Sequence, residues 1–315
     1  MADLAERLGE FPRRYCPVCR TLRDKEFGAG PGGRPDARCL KCGSLERHRF
    51  FAILLDVLRP TFGDLGLLLD IAPSPQTTKL LAALEPRTYV RVDLGADNRL
   101  VDVLGDLTRL PHPDNAADLV ICYHVLEHVP DDLAAMREIA RVLSPDGVGL
   151  VQVPYRPGTL TDEDPDAPED ERLRRFGQAD HVRYYGDDFE DRLVACGLAF
   201  ERVTPRSLVG AHMATWLHLM PDEAVWIVRR AENPTVPPRV DPDDVAATGL
   251  TSTFDGLLSE MTRLHARLND RRHDVRRLTA QVEALSGGSD PRQRLRSLPA
   301  RVARRARALL GRRPG

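Results

Sequence analysis

Between Gly66 and Arg229, short apolar runs alternate with stretches whose apolar residues recur every three to four positions. LGLLLDIA, TYVRVDL, ADLVICY, VGLVQVP and AVWIVRR have the length and character of buried strands. TKLLAALE, DDLAAMREIARVL and DDFEDRLVACG carry the helical period instead. Alternation at this spacing predicts βαβ units, and hence an α/β, Rossmann-like doubly wound core with a mostly parallel sheet over residues 66–230. Upstream, LERHRFFAILLDVL places Phe50, Ile53, Leu54, Val57 and Leu58 on one stripe before Pro60, which predicts a connecting helix within residues 46–65.

Downstream, ENPTVPPRVDPDD holds four prolines and no period, so residues 231–250 read as a linker. A heptad follows over 251–286. Met261, Leu268, Val275 and Val282 take one seam position; Leu257, Leu264, Leu278 and Leu285 take the other, with Arg271 the polar intruder. The pattern predicts a C-terminal coiled coil and self-association through it, or else one helix folded back on the core. After SGGSD, residues 291–315 put Leu295, Leu298, Val302, Ala306 and Leu309 on one helical stripe, with Arg on the remaining faces.

Charge changes the picture only locally. Lys and Arg number 45 against 47 Asp and Glu, for a net charge of −2, which does not mark the whole chain as a nucleic-acid binder. Residues 291–315 carry nine Arg and no acid, and subtracting those nine from −2 leaves −11 on residues 1–290. An Arg-rich amphipathic tail suits an anionic membrane surface or nucleic-acid phosphates, and its apolar stripe favours the membrane. No apolar run approaches the roughly 20 residues of a membrane span. The start MADLAERLGE lacks the basic-then-apolar pattern of a secretory signal. The expected location is cytoplasmic, with peripheral contact at the inner membrane face.

Four of the six cysteines fall in two CxxC pairs, Cys16 and Cys19 (CPVC) and Cys39 and Cys42 (CLKC), around the turn-rich FGAGPGGRPDA. Two such knuckles at this separation predict a closed four-thiolate site for a structural Zn(2+), and so a zinc-ribbon-like module over 13–45. Arg47, His48 and Arg49 follow directly and could face an anionic substrate or solvent. Cys122 and Cys196 read as inert core thiols, and Trp216 and Trp226 as core or sheet-face residues.

In a doubly wound fold the ligand loop leaves the first strand, which ends here with Asp70. The second strand ends with Asp93, near the roughly 20-residue offset at which an acid meets ribose hydroxyls. Asp106 lies where the third strand should end. His124, Glu127 and His128 spell HxxEH, the spacing of an inverted zinc-peptidase site on a helix. Here the segment leaves a strand, and Pro130, Asp131 and Asp132 mark a fresh helix start, so that reading is set aside.

The ordered set DIAP, YVRVDL, GDLTRLPHPDNAADLVICYHVLEHV and REIARVLSPDG, with VQVP after it, resembles class I S-adenosylmethionine-dependent methyltransferases of the type 11 group. The likeness covers about half the chain. It implies that Asp70, Ile71, Ala72 and Pro73 pass beneath the methionine part of the cofactor. It implies further that Asp93 holds the ribose hydroxyls, Leu94 packs on the adenine, Asp106 and Leu107 flank its amino edge, and Tyr123 and His124 border the methyl-donor site. The usual glycine-rich DxGxGxG is DIAPSPQ here, without glycine. Proline-containing versions occur in a sub-group that also resembles this chain in RCLKCGSLERHR and FGQADHVRYYGDDFEDRL.

Methyl transfer is an in-line displacement from a sulfonium, so an enzyme must position the acceptor and, for a hydroxyl, remove a proton. The insertion between VQVP and DDFEDRL offers His181 as base or acceptor-orienting residue, with His124 as second candidate and Arg183, Tyr184 and Tyr185 as acceptor contacts. The expected reaction is O-methylation of a small-molecule or glycan acceptor. The alternatives are an RNA methyltransferase, favoured by the zinc module and Arg tail, and a catalytically inactive zinc and coiled-coil interaction protein, which the glycine-free loop would allow.

Overall fold

The computed structural model describes residues 14–23, 26–220 and 223–231. The linker, heptad and Arg-rich tail lie outside the described residues. The chain opens with a hairpin, β1 (Arg14–Cys16) and β2 (Thr21–Arg23), whose turn holds the first Cys pair. Helix α1 (Glu46–Leu58) follows the second pair. It stops earlier than the 46–65 segment, at a 3-10 turn (Arg59–Thr61) around Pro60, which has no N–H to continue an α-helical ladder.

The central sheet has seven strands. β3 (Leu67–Ile71), β4 (Thr88–Asp93), β5 (Val103–Leu104), β6 (Ala117–Tyr123) and β7 (Leu143–Gln152) run parallel in the order β5, β4, β3, β6, β7. β11 (Val225–Arg230) adds antiparallel to β7, and β10 (Leu198–Val203) closes the far edge. β3 and β6 are covered on both faces, which is why they read as continuous apolar runs rather than alternating ones. Helix α2 (Pro75–Ala82) follows β3, and α3 (Asp132–Val142) follows β6. α3 buries Ala135, Met136, Ile139 and Val142 at helical spacing in the main core with Val120, Val151 and Trp226. Truncating Ile139 to Ala there costs about 2–5 kcal/mol. The chain leaves β3 toward β4 on one side and later returns as β6 on the other. This reversal of strand order opens a crevice at the carboxyl ends of β3 and β6, where doubly wound folds bind ligands.

Two elements were not evident from the pattern. LAFERV forms β10, although its inner residues are only partly buried and its apolar signal is broken by Glu201 and Arg202. Residues after it form α6 (Pro205–Trp216), N-capped by Thr204 and broken at Gly210. The insertion after β7 is also ordered: β8 (Asp162–Glu163) pairs with β9 (Arg183–Tyr184), with α4 (Glu169–Phe176) between them, before α5 (Phe189–Ala195).

Helix α1 differs from the one-stripe expectation. Eleven of its 13 residues are buried, because it lies between the cysteine module and the sheet domain. Arg49 faces neither substrate nor solvent: its guanidinium donates to the carbonyls of Ala37 (2.7 Å), Leu217 (3.1 Å) and His218, and stacks on Phe27 at 4.1 Å. His48 is also internal, its Nδ1 accepting the Leu45 N–H at 3.0 Å, and burial pushes its pKa down to about 3. Trp226 lies in the main core as expected, whereas Trp216 stacks on Tyr15 of the cysteine module, with ring centroids 6.4 Å apart. Cys122 and Cys196 are core thiols.

Candidate functional site

The two CxxC knuckles converge. Cys16 and Cys42 sulfurs are 3.7 Å apart, Cys19 and Cys39 sulfurs 3.9 Å, and all four lie within 4.8 Å of one another. A tetrahedron with metal–sulfur bonds of about 2.3 Å has edges of about 3.8 Å, so the cluster fits a four-thiolate zinc site. The residue after each second cysteine, Arg20 and Gly43, has positive φ, and Gly43 N–H turns back to the Cys39 carbonyl at 2.8 Å. Glycine takes that conformation without strain; Arg20 takes it because the knuckle geometry requires it. The Ser44 hydroxyl lies 3.2 Å from the Cys16 sulfur and 3.1 Å from the Cys42 sulfur, where it can donate to a thiolate.

The carboxyl ends of β3 and β4 hold the expected acids. Asp70 is 2% exposed and accepts the Tyr89 hydroxyl at 2.7 Å; burial pushes its pKa up to about 7. Ala72 occupies the position of the first loop glycine with φ +52, its N–H fixed to the Val92 carbonyl at 2.8 Å. The loop therefore keeps the left-handed turn that glycine ordinarily supplies, with a methyl group in place of hydrogen. Ser74 then caps α2, accepting from the Thr77 N–H at 3.2 Å, and Pro75 occupies its first turn. Asp93 ends β4. The Asn98 amide donates to its Oδ2 at 3.0 Å and to the Pro73 carbonyl at 3.0 Å, tying the second loop to the first. Leu94 is 75% exposed, an apolar surface beside this acid. Asp106 is exposed and turns its Oδ1 to the Thr108 N–H, while the Leu107 side chain is in the main core, so only its backbone is available to a ligand.

At the ends of β6 and β7 a cavity of about 330 Å³ is lined by Arg34 of the cysteine module, Glu46 and Arg47 of α1, His124, residues 153–155 and Tyr184, with Glu223 and Ala224 closing it. The module thus forms one wall. Arg34 pairs with Glu46 at 3.1 Å. Arg47, half-buried, is the member of the Arg47, His48 and Arg49 run that faces the cavity. Burial pushes Glu223 up to about 7, and its Oε2 has no partner among the described residues. Neither Arg34 nor Glu223 was singled out in the sequence, because no local pattern distinguishes them from surface charges.

His124 has φ +56, held there by its N–H to the Gln152 carbonyl at 2.8 Å. Its Nδ1 lies 3.1 Å from Glu127 Oε1, and its buried Nε2 has no partner among the described residues. Tyr123 packs edge-on against Phe51 of α1, with ring centroids 4.6 Å apart, and its hydroxyl is likewise unpartnered. His181 is 3% exposed and does not line the cavity. It stands behind Glu127, with Nε2 4.0 Å from Glu127 Oε1. Burial holds its pKa below the usual histidine value.

Of the three residues expected to touch an acceptor, Tyr184 lines the cavity, with Arg156 4.0 Å above its ring. Arg183 and Tyr185 do not. Arg183 donates to the carbonyls of Leu126 (2.7 Å), Val129 and Pro130 (2.8 Å) and to Glu163 (2.8 Å), and the Tyr185 hydroxyl donates to Asp132 at 2.8 Å. These side chains fasten the insertion to the turn after β6. That turn is a single 3-10 turn, Leu126–His128, rather than the long helix an inverted zinc-peptidase motif requires.

Residues 69–151, from β3 to β7, match the family model described as "Methyltransferase domain". They are a methyltransferase domain of the S-adenosylmethionine-dependent class. Over 80 residues the chain is 38% identical to the methyltransferase YcgJ of Bacillus subtilis (strain 168), which is 25% of this chain and 30% of that one. Over 53 residues it is 47% identical to the demethylmenaquinone methyltransferase of Mycolicibacterium paratuberculosis, 17% of this chain and 23% of that one. The chain thus spans less than a third of the length of either relative. The crystal structure of Bacillus YcgJ aligns over 56% of this chain and 98% of its own, at 21% identity and a TM-score of 0.39.

Proposed function

We propose that the whole chain transfers a methyl group from S-adenosylmethionine to an oxygen of a small polar or glycan acceptor. The observation that carries this reading is the tie from Asn98 to both Asp93 and Pro73. It sets a strand-end carboxylate over the first loop and beside exposed Leu94, which is the arrangement a ribose and an adenine need. Asp70, Ile71, Ala72 and Pro73 would line the cofactor's path, with Asp106, the Leu107 backbone and Tyr123 at its borders. When bound, the cofactor supplies an electrophilic methyl group.

The acceptor would occupy the cavity beside His124, whose volume suits a small molecule or one sugar better than a nucleic-acid strand. His124 Nε2 is the nitrogen placed to take an acceptor proton, since Glu127 engages the other nitrogen. His181 would act through Glu127 as a positioning residue. The four cysteines would hold a structural zinc ion that keeps Arg34 in the cavity wall. In the same reading the heptad pairs two chains, and the tail contacts anionic lipid from the cytoplasmic side. Sedimentation with anionic vesicles, with and without residues 291–315, tests that last element.

The deciding experiment is isothermal titration of the folded, metal-replete protein with S-adenosylmethionine and its demethylated product. Micromolar binding that is lost in Asp93→Ala supports the reading. Absence of binding by folded protein overturns it in favour of an inactive interaction protein, and salt-sensitive RNA binding would favour an RNA acceptor.

A further inference from the structure

The turn after β6 and the end of the insertion bring three metal-ligating side chains together behind His124, where the methyl-transfer reading assigns no ion. One donor atom each from Glu127, His128 and His181 lies within 4.8 Å of the others. Both histidines are oriented from behind. His181 Nδ1 is 3.2 Å from the Phe176 carbonyl, and His128 Nδ1 is 3.2 Å from the Asp180 carbonyl and 3.3 Å from its carboxylate. A carbonyl oxygen only accepts, so each Nδ1 carries the proton and each Nε2 presents a lone pair. Outer carbonyl or carboxylate partners fix metal-bound histidines in this way.

Two of the three side chains also carry unanswered polar atoms. Glu127 is fully buried; its Oε1 faces His124, and its Oε2 has no donor among the described residues. His181 Nε2 is buried and unpartnered too. The Glu127 oxygen nearest that nitrogen is Oε1, which lies 4.0 Å from His181 Nε2 and is also approached by His124 Nδ1 at 3.1 Å. An acceptor facing an acceptor, with Oε2 unanswered beside it, stays costly until a cation enters. The donor atoms stand within 4.8 Å of one another, so closure onto an ion whose ligand pairs lie about 3.4 Å apart needs each to move by about 1 Å or less.

We propose that Glu127, His128 and His181 bind a divalent first-row transition ion, zinc by default, at a second site distinct from the four cysteines. Two imidazoles and one carboxylate are the donors such ions prefer, and hard calcium or magnesium would not select them. The ion would lock Glu127 and through it the orientation of His124, which lines the cavity. The proposal does not depend on methyl transfer.

Elemental analysis of the dialysed full-length protein tests it, together with cobalt(II) substitution. The expected result is two equivalents of metal per chain. One cobalt population should show sulfur-to-metal charge transfer from the cysteines, and the second only weak ligand-field bands. Glu127→Gln and His181→Asn should lose the second equivalent and its bands and retain the thiolate bands. A single equivalent with only the thiolate spectrum, in folded wild-type protein at saturating cobalt, overturns the proposal. Should the variants unfold, the wild-type titration still decides, because weak ligand-field bands that grow in after the thiolate charge-transfer bands have saturated require a second, nitrogen- and oxygen-ligated site.

Discussion

The Asn98 side-chain amide lies 3.0 Å from Asp93 Oδ2, and the same nitrogen lies 3.0 Å from the Pro73 carbonyl. One residue thus sets the distance between the two loops proposed to hold opposite ends of the cofactor. Asn98→Ala removes a donor to a charged acceptor, a loss of about 1.5 kcal/mol or more, and should weaken S-adenosylmethionine binding about tenfold. The melting temperature should fall by only a few degrees, since both bonds lie near the surface. Unchanged affinity by titration calorimetry would show that Asp93 is oriented without it.

Asp70 makes stability fall with rising pH. Its folded pKa is raised to about 7 by burial, above the unfolded value of about 3.9, so the folded state holds the extra proton between them. Stability is fully present below about pH 4, declines as pH rises toward 7, and levels off above that. Asp70→Asn mimics the protonated form. It should match the wild type near pH 4 and exceed it at pH 8 by on the order of 4 kcal/mol at most. Urea unfolding of both proteins at the two pH values reads this directly, and parallel pH profiles would refute the assignment.

Neighbouring arginines should behave oppositely. Arg49 is completely buried, and Arg49→Ala leaves three carbonyls without their donor and opens a hole between module and core. A loss of about 3 kcal/mol or more is expected. Arg47→Ala, at the cavity wall, should alter stability by less than about 1 kcal/mol and act on acceptor binding instead. Thermal melts of the pair check the contrast, and an equal effect would show that Arg47 is structural.

The loop at Ala72 makes a third kind of test. With φ +52, alanine carries strain of about 1 kcal/mol that glycine would not, while glycine adds comparable freedom to the unfolded chain. Ala72→Gly should therefore leave stability within about 1 kcal/mol and keep cofactor affinity. Ala72→Val should destabilise by about 2 kcal/mol or more, because a β-branched residue fits that conformation poorly. A well-tolerated valine in chemical denaturation would mean the loop adopts another backbone path in solution.

Much of the architecture was legible in the sequence because its signals are local. β3, β4, β6 and β11 are apolar runs, α3 has its period and its Asp131 cap, and each CxxC pair is a complete knuckle in four residues. LAFERV was missed because an edge strand needs only part of one face buried, which weakens its pattern. The glycine-free loop left an inactive protein open as an alternative. The structure shows that this loop makes a left-handed turn with Ala72.

The sequence by itself determined the parallel sheet, the convergence of thiol pairs and the acids at the ends of β3 and β4, since each follows from the spacing of neighbours along the chain. Only the tertiary structure decided the fates of the charged residues. Arg47 and Arg49 are two positions apart on one helix, yet one faces a cavity and the other the interior. Glu127 and His181 are far apart in the chain and meet behind His124. Arg34 and Glu223 reach one cavity from the cysteine module and the start of β11. Burial and pairing of a charge depend on what the rest of the chain packs against it, and no local pattern encodes that.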